Sequence, residues 1–285
     1  MNTAMRAAYP DLSIRRLCAL AGAGRTWWYM HPSADEVAAR DTALRDAVER
    51  IALEFPGYGY RRVTKALQRE GWTVNHKRVL RVLREESLLC QLERRFVRTT
   101  DSAHALRTYP NLLGDAVPSG PDQAWVADIT YIRLPTTFAY LACVLDAWSR
   151  RCIGWAFSRF IDTTLTLTAL ERALAGRQPG AGMIHHSDRG VQYASAAYTA
   201  RLLAVGARIS MSAVGNPYDN AKAESFFKTL KREEVHLNHY QTFQDAEVNL
   251  GRFIDDVYNA KRLHSSLGYR PPIEAEATYL ATVRG

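Results

Sequence analysis

Three carboxylates in this 285-residue chain stand in distinctive settings. Asp128 lies inside the apolar run Trp125-Val126-Ala127-Asp128-Ile129-Thr130-Tyr131-Ile132, and Asp188 follows His185-His186-Ser187 and precedes Arg189-Gly190. Glu224 sits in Asn216-Pro217-Tyr218-Asp219-Asn220-Ala221-Lys222-Ala223-Glu224-Ser225-Phe226-Phe227, with 35 residues separating it from Asp188. An ionised carboxylate in apolar surroundings is expensive unless something cationic neutralises it, and a divalent ion held by oxygen ligands is the usual answer. Acids so placed imply metal-dependent chemistry on phosphate esters.

Taken singly, each acid has a plainer reading: a hydrogen-bonded strand residue, a turn residue and a surface helix residue. Together they are harder to dismiss, because a strand, a strand end and a helix start can converge at one edge of a sheet. Asp146, at the end of the second strand, is the rival for the first acid. His185 and His186 invite a zinc reading, but Cys18, Cys90, Cys143 and Cys152 are scattered without zinc-finger spacing. One of the histidines approaches the substrate phosphate, or both pack beneath the site. The cysteines read as reduced, buried thiols of a cytosolic chain.

The elements that must position these acids follow from periodicity. Alternating, β-rich runs at Ala124–Arg133, Ala139–Ala147 and Arg151–Ser158 read as an antiparallel meander. A helix from about Thr164 to Ala175 comes next, then a strand at Met183–His185 and a helix near Ala194–Ala204. A strand at Arg208–Met211 and a helix from about Asp219 complete the series. Three strands followed by alternating helix and strand predict an α/β fold, a mixed sheet covered by helices.

Upstream, the chain reads as all-helical. Ser13 caps a helix through Leu20, and a longer helix runs from about Asp35 to Glu54 with Val37, Leu44, Val48, Ile51 and Phe55 on one stripe. Tyr60–Glu70 and a helix begun by Asn75 as N-cap, separated by a glycine-containing turn, form a helix-turn-helix pattern over about 57–90. An αα-hairpin with basic decoration is the competing description. Residues 1–110 carry 19 Lys/Arg against 12 Asp/Glu, whereas 111–285 carry 18 against 17. Such concentration of a net charge of +8 is the footprint of a polyanion, with Arg61, Arg62, Lys77, Arg78 and Arg81 as its expected contacts. The chain therefore divides into a helical DNA-binding region (1–98), a linker (99–121) and a catalytic core (122–285). No apolar stretch approaches membrane-spanning length and no signal-peptide core is present, so the chain is expected in the cytoplasm.

Residues from about 122 to 278 resemble the integrase core of bacterial insertion-sequence transposases, within the retroviral-integrase superfamily. More narrowly the chain resembles the second-frame product (OrfB) of the "IS three" family. The resemblance is carried by the runs around Asp128, Asp188 and Glu224, by Asp146-Ala147-Trp148-Ser149-Arg150-Arg151, and by Tyr258-Asn259-Ala260-Lys261-Arg262-Leu263-His264. It implies an RNase H-like fold in which Asp128, Asp188 and Glu224 bind two Mg²⁺, with Mn²⁺ as a substitute. Physics agrees: three ionised carboxylates within about 4 Å repel by about 4 kcal/mol per pair at an effective dielectric of 20, and divalent cations reverse that sign. In the implied roles Asp128 bridges both ions while Asp188 and Glu224 hold one each, serving in-line displacement at phosphorus without a covalent protein intermediate.

The implied activity is binding of terminal inverted repeats, DNA cleavage and joining of a 3′-hydroxyl to another strand, by a DNA transposase. Asn220, Lys228 and Lys231 share a helix face with Glu224 and are expected at DNA phosphates. Arg262 and His264 match the C-terminal motif, for packing or for DNA contact. Further partners implied are target DNA, the first-frame product (OrfA) and further copies of the chain on DNA. One departure is Ala213-Val214-Gly215, where many relatives have a basic residue before the glycine. A structure-specific nuclease on the same fold and an inactive DNA-binding regulator are the competing functions.

Overall fold

The computed structural model describes residues 8–26, 34–90, 107–114, 117–213 and 220–284, and the chain divides into two compact units, Met1–Cys90 and Gln91–Gly285. In the first unit, α1 (Ile14–Leu20) starts at Ser13, whose hydroxyl accepts from the Arg16 N–H. Helices α2 (Ala34–Glu54), α3 (Tyr60–Arg69) and α4 (His76–Glu85) pack on one another. Their shared core is Leu44, Val48, Ile51, Val63, Leu67, Val79, Val82 and Leu83, the residues the helical period puts inside. The side chain of Val37 lies outside the described residues. Asn75 caps α4 as its residue type demands, its Oδ1 accepting from the Arg78 N–H at 3.0 Å.

The second unit is built on a five-stranded sheet: β1 (Ala124–Arg133), β2 (Phe138–Asp146), β3 (Cys152–Ser158), β4 (Ile184–Ser187) and β5 (Arg208–Met211). Its order is β3-β2-β1-β4-β5, with β1, β2 and β3 antiparallel and β4 and β5 added parallel to β1. This is the RNase H-like arrangement. The meander is local because tight turns join its strands. The parallel additions need crossovers, supplied by α5 (Thr163–Gly176), α6 (Val191–Ala194) and α7 (Ala196–Ala204).

Strand alternation sorts the core into two layers. Val126, Ile132, Leu141, Cys143 and Leu145 face α8 (Ala221–Leu230) and α9 (Phe243–Arg252). Trp125, Ala127, Ala142 and Val144 face α5 and α7. Helix α5 sits so close to β3 that a Cβ on Gly154 would stand 2.3 Å from the Ala169 carbonyl oxygen. The chain ends in α10 (Pro272–Arg284).

Several boundaries differ from expectation. The helix expected near Ala194–Ala204 is broken, because Ser195 is extended and its hydroxyl accepts from Tyr198 N–H as a new N-cap. Helix α8 runs on as a π-helical stretch, Lys231–Val235, and its expected start at Asp219 lies outside the described residues. Within the stretch read as linker, Leu112 N–H bonds Ser210 Oγ at 2.8 Å and Leu113 is buried, so this segment lies along β5. Cys18, Cys143 and Cys152 are buried and all four cysteines are free.

Candidate active site

Asp128 and Asp188 are brought together by the parallel pairing of β1 and β4. Ala127 is opposite Ser187, and each acid is the next residue along. Both fall on the sheet face covered by α8, because Asp128 shares its register with Cys143 and its parity with Val126. Asp188 leaves the strand end and turns back on itself, its Oδ1 accepting from the Gly190 N–H at 2.9 Å. A Cβ on Gly190 would meet that same oxygen at 3.0 Å, so the glycine keeps the space in which the carboxylate turns.

Helix α8 delivers Glu224 in its first turn, exposed, over the buried stripe Ala223, Phe226, Phe227 and Leu230. Asn220 is buried at its start, donating Nδ2 to the Ala127 carbonyl at 3.3 Å, while its Oδ1 is buried without a partner among the described residues. This bond ties the helix start to the residue beside Asp128.

Electrostatics register the convergence. The Asp128 carboxyl is pushed up to about 8, first by burial, then by the like charge of Asp188 and also of Glu224. The Ile129 N–H, bonded at 2.8 Å, and Lys231 pull in the opposite direction. Lys231 rests over the Tyr131 ring at 4.2 Å, and burial lowers its own pKa against the attraction of Asp128. An acid so placed ionises near neutrality only if further positive charge arrives. The donors on offer are carboxylate oxygens, suited to a hard divalent ion such as Mg²⁺. No group of three His, Cys, Asp or Glu among the described residues is gathered tightly enough to hold a metal as it stands. The three acids thus share a field rather than a closed cage, and the exposed Glu224 retains the rotamer freedom to complete one.

Asp146, the rival acid, is fully engaged elsewhere. Its Oδ2 accepts from Asp122 N–H at 2.7 Å, and its Oδ1 accepts from the Trp148 and Ser149 N–H groups. It shapes the β2–β3 turn. The histidines pack beneath the acids: His185 Nε2 meets Tyr198 Oη at 3.0 Å, and His186 lies between Ser210 Oγ and Ser212 Oγ. Burial drives His185 down to about 3, so it is neutral. Arg262 bonds Glu233 at 2.7 Å with both side chains buried, and His264 stacks edge-on against Tyr258. Their visible role is packing behind α8, since Tyr258 in turn packs on Phe226.

Lys228 is exposed on α8. In the first unit, Lys77 is exposed on α4 and Arg81 is exposed near Glu85 at 3.9 Å, while Arg78 bonds Asp41. Arg61 and Arg62 lie over the rings of Tyr60 and Tyr58. Two features escaped the sequence reading: the Lys231–Tyr131 contact and the serine pair around His186. Neither has a sequence signal, because each joins residues more than 20 positions apart.

The chain matches three family models: "Integrase core domain" over residues 118–217, a second "Integrase core domain" over 205–272, and "HTH-like domain" over 39–96. It is 36% identical over 277 residues to transposase InsF for insertion sequence IS3A of Escherichia coli (strain K12), covering 95% of this chain and 96% of that protein. The chain belongs to the IS3-family transposases. The transposase for insertion sequence element IS629 of Shigella sonnei is 38% identical over 247 residues, covering 86% of this chain and 83% of that protein. Among solved structures, this transposase is similar to a simian T-cell lymphotropic virus intasome in complex with PP2A regulatory subunit B56 gamma. That match has TM-score 0.45 and 15% identity over 81% of this chain and 74% of that one. The HTLV-2 integrase catalytic core domain in complex with magnesium gives TM-score 0.41 and 13% identity, over 55% and 98%. The transposase is a DNA-binding polynucleotidyl transferase with an integrase-type core and a helix-turn-helix-like region. No helix among its described residues is long and apolar enough to cross a membrane.

Proposed function

We propose that this transposase cleaves DNA and transfers strands with divalent metal at Asp128, Asp188 and Glu224, and that it acts at terminal inverted repeats. The observation that carries the reading is the parallel β1–β4 register, which sets the half-buried Asp128 beside Asp188, with the Asp128 carboxyl pushed up by burial and by the charges of both other acids. Mg²⁺, with Mn²⁺ as substitute and two ions per site, supplies a lowered pKa on the attacking water or 3′-hydroxyl and charge stabilisation of the leaving oxygen. The chain's own part is to hold and orient. Asn220 fixes the start of α8 against β1, Gly190 leaves room for Asp188, and Lys231 balances the acids. Lys228 and Lys231 meet strand phosphates near the acids.

The helix-turn-helix region reads the DNA ends through Arg61, Arg62, Lys77, Arg78 and Arg81, within a division into 1–98, 99–121 and 122–285. Processing two ends calls for two sites, hence an assembly of copies on DNA, with the first-frame product as an additional partner. The test uses Asp128→Asn, Asp188→Asn and Glu224→Gln in strand-transfer assays with a pre-cut 3′-hydroxyl end. Each variant is expected to lose activity on the order of 10³-fold or more while still binding DNA, since metal-ion catalysis supplies several kcal/mol. Full Mg²⁺-dependent joining by any of them overturns the assignment. Cutting without joining by the unaltered chain would favour a nuclease.

A further inference from the structure

We infer that Tyr131 and Phe138, with Lys231 beside them, form a stacking platform for an unpaired base of the DNA strand held at the three acids. The inference rests on the reading of this unit as acting on DNA, and adds that the strand is locally single there.

The platform is a product of hairpin register. Arg133 is opposite Phe138 and Tyr131 is opposite Tyr140 in the β1–β2 pairing, so Tyr131, Arg133 and Phe138 share one face. Tyr131 and Phe138 are therefore diagonal neighbours, a separation that aromatic side chains can bridge. They do, with ring centroids 5.6 Å apart and the planes at 83°. The Leu134 N–H bonds the Thr137 carbonyl at 2.9 Å and closes the turn immediately before Phe138. Phe138 is nonetheless 47% exposed. A lone exposed apolar side chain needs no explanation. An exposed ring braced by a second ring and bordered by cations is different, because that combination is how proteins hold single strands.

The cations are Lys231, whose Nζ lies 4.2 Å from the centre of the Tyr131 ring, and the exposed Arg133. No ion pair among the described residues engages either of them. Two cations beside two rings favour a partner with both phosphates and π-faces over an apolar protein surface.

The strand edge connects this platform to the acids. β4 pairs with β1 only from Ala124 to Ala127, so among the described residues no strand covers that side of β1 beyond Ala127. Asp128 begins this open edge on the face under α8, and Tyr131 lies farther along on the opposite face. Lys231, two turns after Glu224, meets the Tyr131 ring across the edge. A strand leaving the acids over this edge passes Lys231 and then the rings. From Asp128 to Tyr131 is about 10 Å along β1, a few nucleotides at about 3.4 Å each. Paired bases hide their faces inside the duplex stack, so only an unpaired base can use the platform.

The experiment compares a blunt duplex with the same duplex carrying a short unpaired end that contains 2-aminopurine, each bound by the full chain in EDTA. The unaltered chain is expected to bind the forked duplex more tightly and to quench the 2-aminopurine. Phe138→Ala and Phe138→Leu should each lose about 10-fold in forked-duplex affinity, together with the quench. Both should keep blunt-duplex affinity, the salt slope and the melting temperature, since the side chain is exposed. Phe138→Trp should retain the quench. Lys231→Gln should flatten the slope of log K against log salt on the forked duplex by about 0.7. Leucine keeps apolar contact without a ring, so forked-duplex affinity and quench retained by Phe138→Leu overturn the platform. A smaller oligomer of Phe138→Ala with forked-duplex binding unchanged also overturns it, and reassigns the rings to contact between copies. Absence of salt-dependent binding to either duplex by the unaltered chain overturns the DNA reading beneath it.

Discussion

Asp128 and Asp188 are adjacent across a parallel strand pair, each one residue beyond the Ala127–Ser187 pairing of β1 and β4. Two carboxylates are thereby delivered by backbone register alone, before any side-chain choice. The third is delivered by a helix whose start is tied by Asn220 to the Ala127 carbonyl.

The first prediction concerns pH and metal. Asp128 is held at about 8 against an ordinary 3.8, so in the folded state it keeps its proton where the unfolded chain has lost it. The folded form then binds more protons, and stability falls as pH rises from about 4 to about 8. Asp128→Asn should flatten that fall and raise stability at pH 8 by about 1–3 kcal/mol. Added Mg²⁺ should stabilise the unaltered chain at pH 8 but not the variant. Thermal melts at pH 5 and pH 8, with and without Mg²⁺, decide it; an identical Mg²⁺ response in both chains sinks the prediction.

The second concerns Gly190, whose φ is −59° and so needs no glycine on conformational grounds. Space is the reason, since an added Cβ would sit 3.0 Å from Asp188 Oδ1 and 3.1 Å from Gln192 Oε1. Gly190→Ala should weaken Mg²⁺-dependent activity by about 10-fold while changing stability by less than about 1 kcal/mol. Activity titrated against Mg²⁺, beside a melting curve, separates the two effects. A large loss of stability with unchanged metal dependence would assign the glycine to packing.

Much of this architecture was readable in advance. Strands such as Ala124–Arg133 and Arg208–Met211 announce themselves through β-branched and alternating residues, and Asn75 announces α4 by its capping chemistry. Asp128 stands out because a carboxylate in an apolar run is rare, whereas Asp188 and Glu224 stand out only through the family's motifs and spacing. What stayed hidden are pairings between distant positions. Arg262 spent on Glu233, and Glu276 reaching back to Ser149, Arg151 and Arg177, depend on the fold having closed. The split at Ser195 was missed because a serine inside a helical pattern looks tolerable until its hydroxyl finds a backbone N–H.

The third prediction follows from that Glu276 network. Its side chain is 6% exposed and binds Arg177 at 2.6 and 2.7 Å, beside its contacts with Ser149 and Arg151. Burial alone would raise its pKa, but the bonds from Arg177, Ser149 and Arg151 outweigh burial and hold the carboxyl below 4.5. Its contribution is therefore complete above 4.5 and is lost as pH falls through the lower folded value. Glu276→Gln should destabilise the catalytic unit by about 2–4 kcal/mol at pH 7, leaving Arg177 and Arg151 poorly compensated. The difference between the chains should shrink in acid, below pH 4.5. Denaturant melts at pH 7 and in acid measure it, and a constant difference would show that the charge is not the cause.

The last prediction separates reading from folding on α4. Lys77 and Arg81 are exposed, and Arg81 makes only a loose 3.9 Å approach to Glu85. Arg78 instead bonds Asp41 of α2, which ties the two helices and draws the Asp41 carboxyl below its usual value. Replacing Lys77 and Arg81 with Ala should leave the melting of the first unit nearly unchanged and flatten the salt dependence of DNA binding by about 0.9 per lost phosphate contact. Arg78→Ala should lower the melting temperature as well as the affinity. Asp41→Asn provides the control, because it breaks the same tie while leaving the cation in place: if it abolishes binding as fully as Arg78→Ala, the arginine acts by holding α4 rather than by meeting DNA.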